Sequence, residues 1–146
     1  MKNKKILRVS IAMVIALVFI GTIYYFKTRI SIWQFNISKS ELKDVLINTK
    51  DNNYIVTNPK LISEISEEVS KMKKLNKVEM NNFPPKEKNI GYTKLMIQTK
   101  NNYTYGGSFW NDDNNGIMLD SNGYYWHVSS DLIELIDRSI NDSKKL

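Results

Sequence analysis

The pattern of apolar and polar positions divides the chain into one long apolar run and a remainder in which the two kinds of residue are interspersed. The run extends from Val9 to Phe26 and contains 18 residues with no charged side chain. As a helix it is roughly 27 Å long, close to the ~30 Å hydrocarbon core of a bilayer. The pattern therefore predicts a transmembrane signal-anchor helix, with its cytoplasmic stub, over residues 1–29.

The charges that flank this run favour one orientation. Four basic side chains precede it and two follow it: Lys2, Lys4, Lys5 and Arg8, then Lys27 and Arg29. Since positive charge is retained in the cytoplasm, we expect a single-pass cell-membrane protein with a cytoplasmic N-terminus and an extracytoplasmic C-terminal domain. A cleaved signal peptide is the alternative interpretation. Cleavage needs small residues near Gly21, where Phe19 and Ile20 stand instead.

The segment after the apolar run predicts a connector followed by a strand pair. Residues 30–41 are assigned to a juxtamembrane connector, with a first strand over Ile30–Ile37. A hairpin over 42–57 is indicated by two strand-forming runs that flank a turn sequence, Asp51-Asn52-Asn53. A short helix over 40–48, begun by Ser38 and Glu41 as a capping box, is the alternative.

An amphipathic helix follows. Asn58 is a favoured N-cap, and Pro59 suits the first helical turn. Apolar residues then recur at helical spacing: Leu61, Ile62, Ile65, Val69 and Met72. The basic cluster Lys71-Met72-Lys73-Lys74 is interpreted as the solvated end of this helix. The polar stretch Asn76–Asn89, which includes Pro84-Pro85, predicts a long surface loop.

The last third of the chain predicts an antiparallel meander and a closing helix. Four strand-like runs are separated by Asn- and Gly-rich turns: Ile90–Lys100, Tyr103–Trp110, Ile117–Asp120 and Tyr124–Val128. Ser129-Ser130-Asp131 then begins a second amphipathic helix. The predicted fold is α+β: a transmembrane helix followed by one small domain, residues 42–142, in which two helices pack on one face of an antiparallel sheet. Residues 143–146 are expected to form a frayed tail.

Charge is distributed unevenly between the anchor and the domain. The net charge of +6 arises from 21 basic and 15 acidic residues, but the first 30 residues hold six of the basic ones and no acid. The remaining 116 residues therefore balance 15 basic against 15 acidic side chains. Without excess positive charge, the domain is not expected to bind nucleic acid. The chain has no cysteine, so neither disulfides nor cysteine lipidation are possible.

No catalytic or cofactor motif stands out. His127 is the only histidine, and although Ser129, Ser130 and Asp131 follow it, a triad requires residues that converge from separate elements. The acidic stretch Asp112–Asp120 resembles a cation loop, but the position of the glutamate that ends an EF-hand loop holds Asn122. We therefore expect no catalytic residue, no metal site and no cofactor, and interpret the acidic stretch as a polar hairpin loop.

Aromatic residues are concentrated in the meander, and alternation divides them between two faces. Tyr124, Trp126 and Val128 are assigned to the core face, whereas Tyr125 and His127 fall on the other face. Trp110, at the mouth of the acidic loop, is placed with Tyr125 and His127 in one patch. Exposed aromatic side chains on a rigid sheet often anchor a bound protein or saccharide. These three residues are therefore the candidate binding site.

In layout the chain resembles small, uncharacterised, membrane-tethered extracytoplasmic proteins of low-GC Gram-positive bacteria. The features that carry the resemblance are the basic and apolar start, the helix in TNPKLISEISEEVSKM, the strand pair in GYTKLMIQTKNNYTYGGSF and the ending YYWHVSSDLIELI. Such families have no assigned chemistry, and some similarly built proteins are immunity factors. The expected function is a non-enzymatic module that contacts lipid through its helix and another envelope protein through its domain. An immunity protein against a toxin and a cell-wall enzyme or saccharide-binding factor are the alternatives.

Overall fold

The computed structural model describes residues 2–77, 93–112 and 115–145. An N-terminal helix, α1 (Lys2–Thr28), precedes a mixed domain. Its segment Ser10–Thr28 is long and apolar enough to cross a membrane, and no part of that segment is buried in the protein. An apolar helix without a protein covering is the form that a lipid-exposed span takes.

The chain passes from α1 directly into a hairpin of β1 (Arg29–Ile32) and β2 (Phe35–Ser38). Sequence reasoning placed a single strand over Ile30–Ile37; instead the chain reverses at Trp33 and Gln34, whose φ angles are +44° and +78°. Ile32 and Trp33 are buried in the core of the domain. The segment predicted as a connector thus forms a packed hairpin.

The predicted hairpin over 42–57 is confirmed. After a short 3-10 turn (Lys39–Glu41), β3 (Leu42–Asn48) pairs antiparallel with β4 (Asn53–Val56), and the helical alternative does not form. The amphipathic helix is also confirmed as α2 (Pro59–Lys71), and the Asn58 side chain accepts a hydrogen bond from the Lys60 backbone N–H at 3.0 Å. One stripe of α2 therefore packs on the sheet.

The basic cluster after α2 is not the end of a helix. The helix stops at Lys71, and β5 (Lys73–Lys77) pairs antiparallel with the last strand of the meander. Every side chain of β5 is exposed, which is typical of an edge strand protected by lysines. The remainder of the predicted Asn76–Asn89 loop lies outside the described residues.

The meander and the closing helix are confirmed as β6 (Thr93–Thr99), β7 (Thr104–Asp112), β8 (Asn115–Asp120), β9 (Tyr124–Val128) and α3 (Ser130–Asp142). Ser129 caps α3 by accepting a hydrogen bond from the Leu132 N–H at 3.2 Å. The predicted tail forms a two-residue strand, β10 (Lys144–Lys145), on β4. The sheet order is β10-β4-β3-β6-β7-β8-β9-β5, with antiparallel pairing throughout.

The hydrophobic core lies between the helices and one face of this sheet. Ile65 of α2, Leu132 of α3 and Met118 of β8 are completely buried in it. Burial of each such side chain contributes roughly 1.5–3 kcal/mol. The predicted α+β class, with two helices on one face of the sheet, is therefore confirmed. The opposite face of the sheet is called the outer face below.

Candidate functional site

The predicted alternation in β9 is observed. Trp126 and Val128 are buried on the core face, whereas His127 is exposed on the outer face and Tyr125 is half-buried there. Tyr124 packs at the margin of the core and lies beneath Lys74, whose Nζ is 3.3 Å from the ring centroid. Side-chain alternation along the strand produces this division.

The sheet register brings the three predicted binding residues onto one face. Trp110 of β7 pairs with Ile117 of β8, and Ile117 pairs with His127 of β9. Since directly paired residues share a face, these three form one cross-strand row. A neighbouring row contains Ser108, Leu119 and Tyr125. The two rows, Trp110-Ile117-His127 and Ser108-Leu119-Tyr125, are called the outer patch below.

Exposure within the outer patch is uneven. Ile117 is 40% exposed, but Trp110 is only 9% exposed even though it is not part of the core cluster. Ile117, which sequence reasoning did not single out, is the large apolar side chain of the patch that is most open to solvent. Lys73 of β5 pairs with His127 and adds a positive charge at the patch margin. The patch is thus apolar at its centre and cationic at one border.

Two adjacent glycines in β7 allow the neighbouring strands to approach closely beside the patch. A Cβ on Gly106 would lie 2.6 Å from the backbone oxygen of Leu95, and a Cβ on Gly107 would collide with the backbone oxygen of Leu119. Only glycine fits such a close approach of neighbouring strands. The strands therefore approach each other closely at Gly106-Gly107, and the pairing on both sides of them continues without a bulge.

The hydroxyl and carboxyl groups that follow His127 have structural partners. Ser129 caps α3, and the Ser130 hydroxyl donates to the Asp131 carboxylate at 3.4 Å. His127 instead shares the outer face with Ile117 and Lys73. A nucleophilic triad would need these groups to converge within hydrogen-bond reach. In the described part of the chain these side chains instead make separate contacts.

The acidic stretch Asp112–Asp120, interpreted above as a polar hairpin loop, is described only in part, because Asp113 and Asn114 lie outside the described residues. Asp120, its last acidic residue, is buried and accepts three hydrogen bonds. Its Oδ1 accepts from the backbone N–H groups of Asn122 at 2.8 Å and Tyr124 at 2.9 Å, and its Oδ2 accepts from the Trp126 indole at 2.8 Å. This carboxylate organises the β8–β9 turn.

Sequence reasoning missed this role of Asp120. An Asp followed by Ser-Asn-Gly is a signal for a turn in which the carboxylate binds backbone N–H groups two residues on. Within the described ranges, no three His, Cys, Asp or Glu side chains form a group that could hold a metal ion.

A second polar feature lies between α2 and α3, where acidic side chains line a groove: Glu64, Glu67, Glu68, Asp131 and Glu134. Glu64 is paired with Arg138, Glu67 with Lys39 at 3.0 Å, and Glu68 with Lys71 at 2.6 Å. The Lys39 ammonium, through its hydrogen bond and its charge, lowers the pKa of Glu67. The Glu64 pair connects α2 to α3, the Glu67 pair connects α2 to the turn before β3, and the Glu68 pair lies within α2.

Comparison of the chain with protein-family models, with curated proteins and with solved structures gives no match. The apolar helix and the outer patch are therefore the features of this chain that bear on function. Fold alone would not decide function in any case, because function depends on the residues of a site.

Proposed function

We propose that this protein is a non-enzymatic binding module, anchored in the cell membrane by α1, that contacts another protein of the cell envelope through the outer patch. The observation that carries the proposal is the row Trp110-Ile117-His127, in which an exposed isoleucine lies between two larger rings on a rigid sheet. Apolar and aromatic side chains at the centre of such a surface, with charge at its border, are typical of protein-binding sites.

The anchor and its orientation form the second part of the proposal. Ser10–Thr28 would span the bilayer, with the four basic residues that precede it on the cytoplasmic side and the domain outside. The domain has no net charge, which argues against a nucleic-acid partner. Membrane lipid is then one partner, through α1, and an envelope protein is the other. The layout shared with membrane-tethered proteins of low-GC Gram-positive bacteria agrees with this setting.

A photo-crosslinking experiment tests the proposed partner. A photoreactive amino acid replaces Ile117 in the full chain, which is expressed in its native membrane and irradiated. We expect a discrete adduct with an envelope protein from position 117 and none from Asp137, an exposed residue on α3. Equal adducts from both positions, or none, would contradict a protein-binding outer patch. An adduct with a secreted toxin would identify the protein as an immunity factor, and one with a glycan as a saccharide-binding factor.

Substitutions then assign the contact to individual side chains. Tyr125→Ala should weaken partner binding by ~1–3 kcal/mol, the range of a well-packed aromatic anchor. Asp137→Ala is the control, since Asp137 is exposed on α3, outside the outer patch, and its loss should leave binding unchanged. If His127→Ala abolished a chemical activity while binding persisted, the non-enzymatic assignment would be wrong.

A further inference from the structure

The junction between α1 and the domain contains no linker. Helix α1 ends at Thr28, and β1 begins at Arg29. The Asn36 side-chain amide donates to the Tyr25 hydroxyl at 3.0 Å, and Arg29 donates to the Asn36 side-chain oxygen at 3.0 Å and to its backbone oxygen at 2.7 Å. The Arg29 guanidinium also lies 5.3 Å from the centre of the Tyr25 ring. The hairpin is therefore fastened to the last turn of the helix.

These contacts hold the hairpin next to the C-terminal end of the apolar segment. Tyr25 lies three residues before the end of the Ser10–Thr28 segment, which places it about 4.5 Å from that end at 1.5 Å per residue. Asn36 bonds to Tyr25, so the hairpin that carries Phe35 lies beside this end of the segment. Phe35 is 43% exposed.

A second segment is held beside Phe35. The Phe35 and Tyr105 rings are 4.9 Å apart, and Tyr105 belongs to the strand that follows the turn Lys100–Tyr103. The Lys100 backbone N–H donates to the Glu41 backbone oxygen at 2.8 Å. This hydrogen bond joins the turn to the segment after β2. Tyr103 is 65% exposed, and Lys100 is exposed as well.

We propose that Phe35, Lys100 and Tyr103, here called the junction rim, form a second contact with the membrane in the lipid headgroup layer. The inference rests on the proposed spanning role of α1. Aromatic side chains prefer the boundary between headgroups and acyl chains, and a neighbouring lysine extends its ammonium to lipid phosphates. The rim is held in place by the Tyr25-Arg29-Asn36 contacts, so it stays next to the bilayer into which its own helix inserts.

The absence of cysteine in the chain makes site-specific labelling straightforward. A single cysteine replaces Asn101, which neighbours Lys100 in the rim turn, and carries an environment-sensitive fluorophore. The full chain is placed in nanodiscs of phosphatidylcholine and phosphatidylglycerol that contain nitroxide-headgroup lipid. We expect strong quenching and a blue-shifted emission at position 101. The control label at Asp51, beyond the opposite end of β3, should show neither.

A label at Ile15 with a deep acyl-chain nitroxide separates this inference from the proposed anchor. Quenching at Ile15 together with equal, weak quenching at 101 and 51 would overturn the rim contact and leave the anchor standing. No quenching at Ile15 would overturn both. A rim that serves a protein partner would also leave position 101 unquenched, because these discs contain no other envelope protein.

Substitution of the rim residues gives the final test. In the chain labelled at 101, Tyr103→Ser should reduce the quenching, and Phe35→Ser together with Tyr103→Ser should reduce it further. Ile117→Ser, a comparable loss of exposed apolar surface in the outer patch, should have no effect. Because Phe35 packs on Tyr105, circular dichroism must show that the double variant is folded, and the single Tyr103→Ser variant decides if it is not. Unchanged quenching in Tyr103→Ser would overturn the proposal.

Discussion

The Trp126 indole N–H donates to the Asp120 carboxylate at 2.8 Å, and both residues are buried. The other oxygen of the same carboxylate holds two backbone N–H groups of the β8–β9 turn. The Asp120 side chain thus connects the backbone of the turn to Trp126 of β9. Since a buried carboxylate is costly unless its oxygens are hydrogen-bonded, the indole and the carboxylate depend on each other.

This relationship predicts the effect of substitutions at Trp126. Trp126→Phe keeps much of the ring volume but removes the donor, so it should destabilise the fold by ~1–3 kcal/mol. Trp126→Ala also creates a cavity and should cost ~3–5 kcal/mol. Thermal unfolding of the detergent-solubilised chain, followed by near-ultraviolet circular dichroism, measures both. Tyr103→Phe, at an exposed position, is the control and should remain within ~0.5 kcal/mol of the parent. An equally small effect of Trp126→Phe would show that the hydrogen bond does not contribute to the free energy of unfolding.

The second prediction concerns Gly107, where β7 approaches β8 closely. Gly107→Ala places a methyl group against the backbone oxygen of Leu119, which cannot move without disturbing the β7–β8 pairing. We expect a loss of ~1–3 kcal/mol or more, as for other overpacked sites. Gly21→Ala, which meets no atom within 4 Å, should not destabilise the protein. Similar unfolding midpoints for the two variants would contradict the close strand approach.

The third prediction is a pH dependence that arises from Glu67. Its pKa is lowered from the usual 4.5 by Lys39, so the ion pair adds stability above that pH and loses it as the pH falls through the folded-state pKa. The two side chains are 47% and 38% exposed, so solvent screening limits the contribution to less than ~1 kcal/mol. Glu67→Gln should therefore lower the unfolding midpoint slightly at pH 7, and the difference should shrink as the pH falls below the usual 4.5. A difference that persisted at acidic pH would point to a cause other than charge.

The fourth prediction concerns topology. Protease added to intact protoplasts should remove the domain and leave α1 in the membrane, because the excess of positive charge precedes the apolar run. A domain that is cleaved only after lysis would refute the orientation. Recovery of a shortened soluble form would instead indicate cleavage of the N-terminal segment.

The elements with local signals were predictable from the sequence. An Asn cap with a regular apolar stripe identified α2, and Asn- and Gly-containing turns separated the strands of the meander. The hairpin β1–β2 was missed because its turn uses Trp33 and Gln34 at positive φ, where Asn or Gly would be expected. The strand β5 was missed because a lysine-rich segment has weak strand propensity of its own, and its conformation depends on pairing with β9.

The outer patch could likewise be predicted from the sequence only in part. Alternation correctly placed Trp126 in the core and His127 outside, since that depends only on the period of a strand. Alternation assigns a face but not the neighbours that cover it, so the low exposure of Trp110 and the high exposure of Ile117 required the cross-strand register. The three hydrogen-bond donors to Asp120 likewise lie two, four and six residues after it, and only the turn geometry brings them to one carboxylate.

The lysine-rich β5 has a consequence for the membrane anchoring proposed above. Such anchoring would hold the domains of neighbouring copies at one height, where an open sheet edge would meet the same edge of the next copy. The exposed Lys73, Lys74 and Lys77 give that edge a positive charge, so two such edges repel each other before their backbones can pair. The lateral concentration of the protein can then rise without continuous sheets forming across the membrane surface.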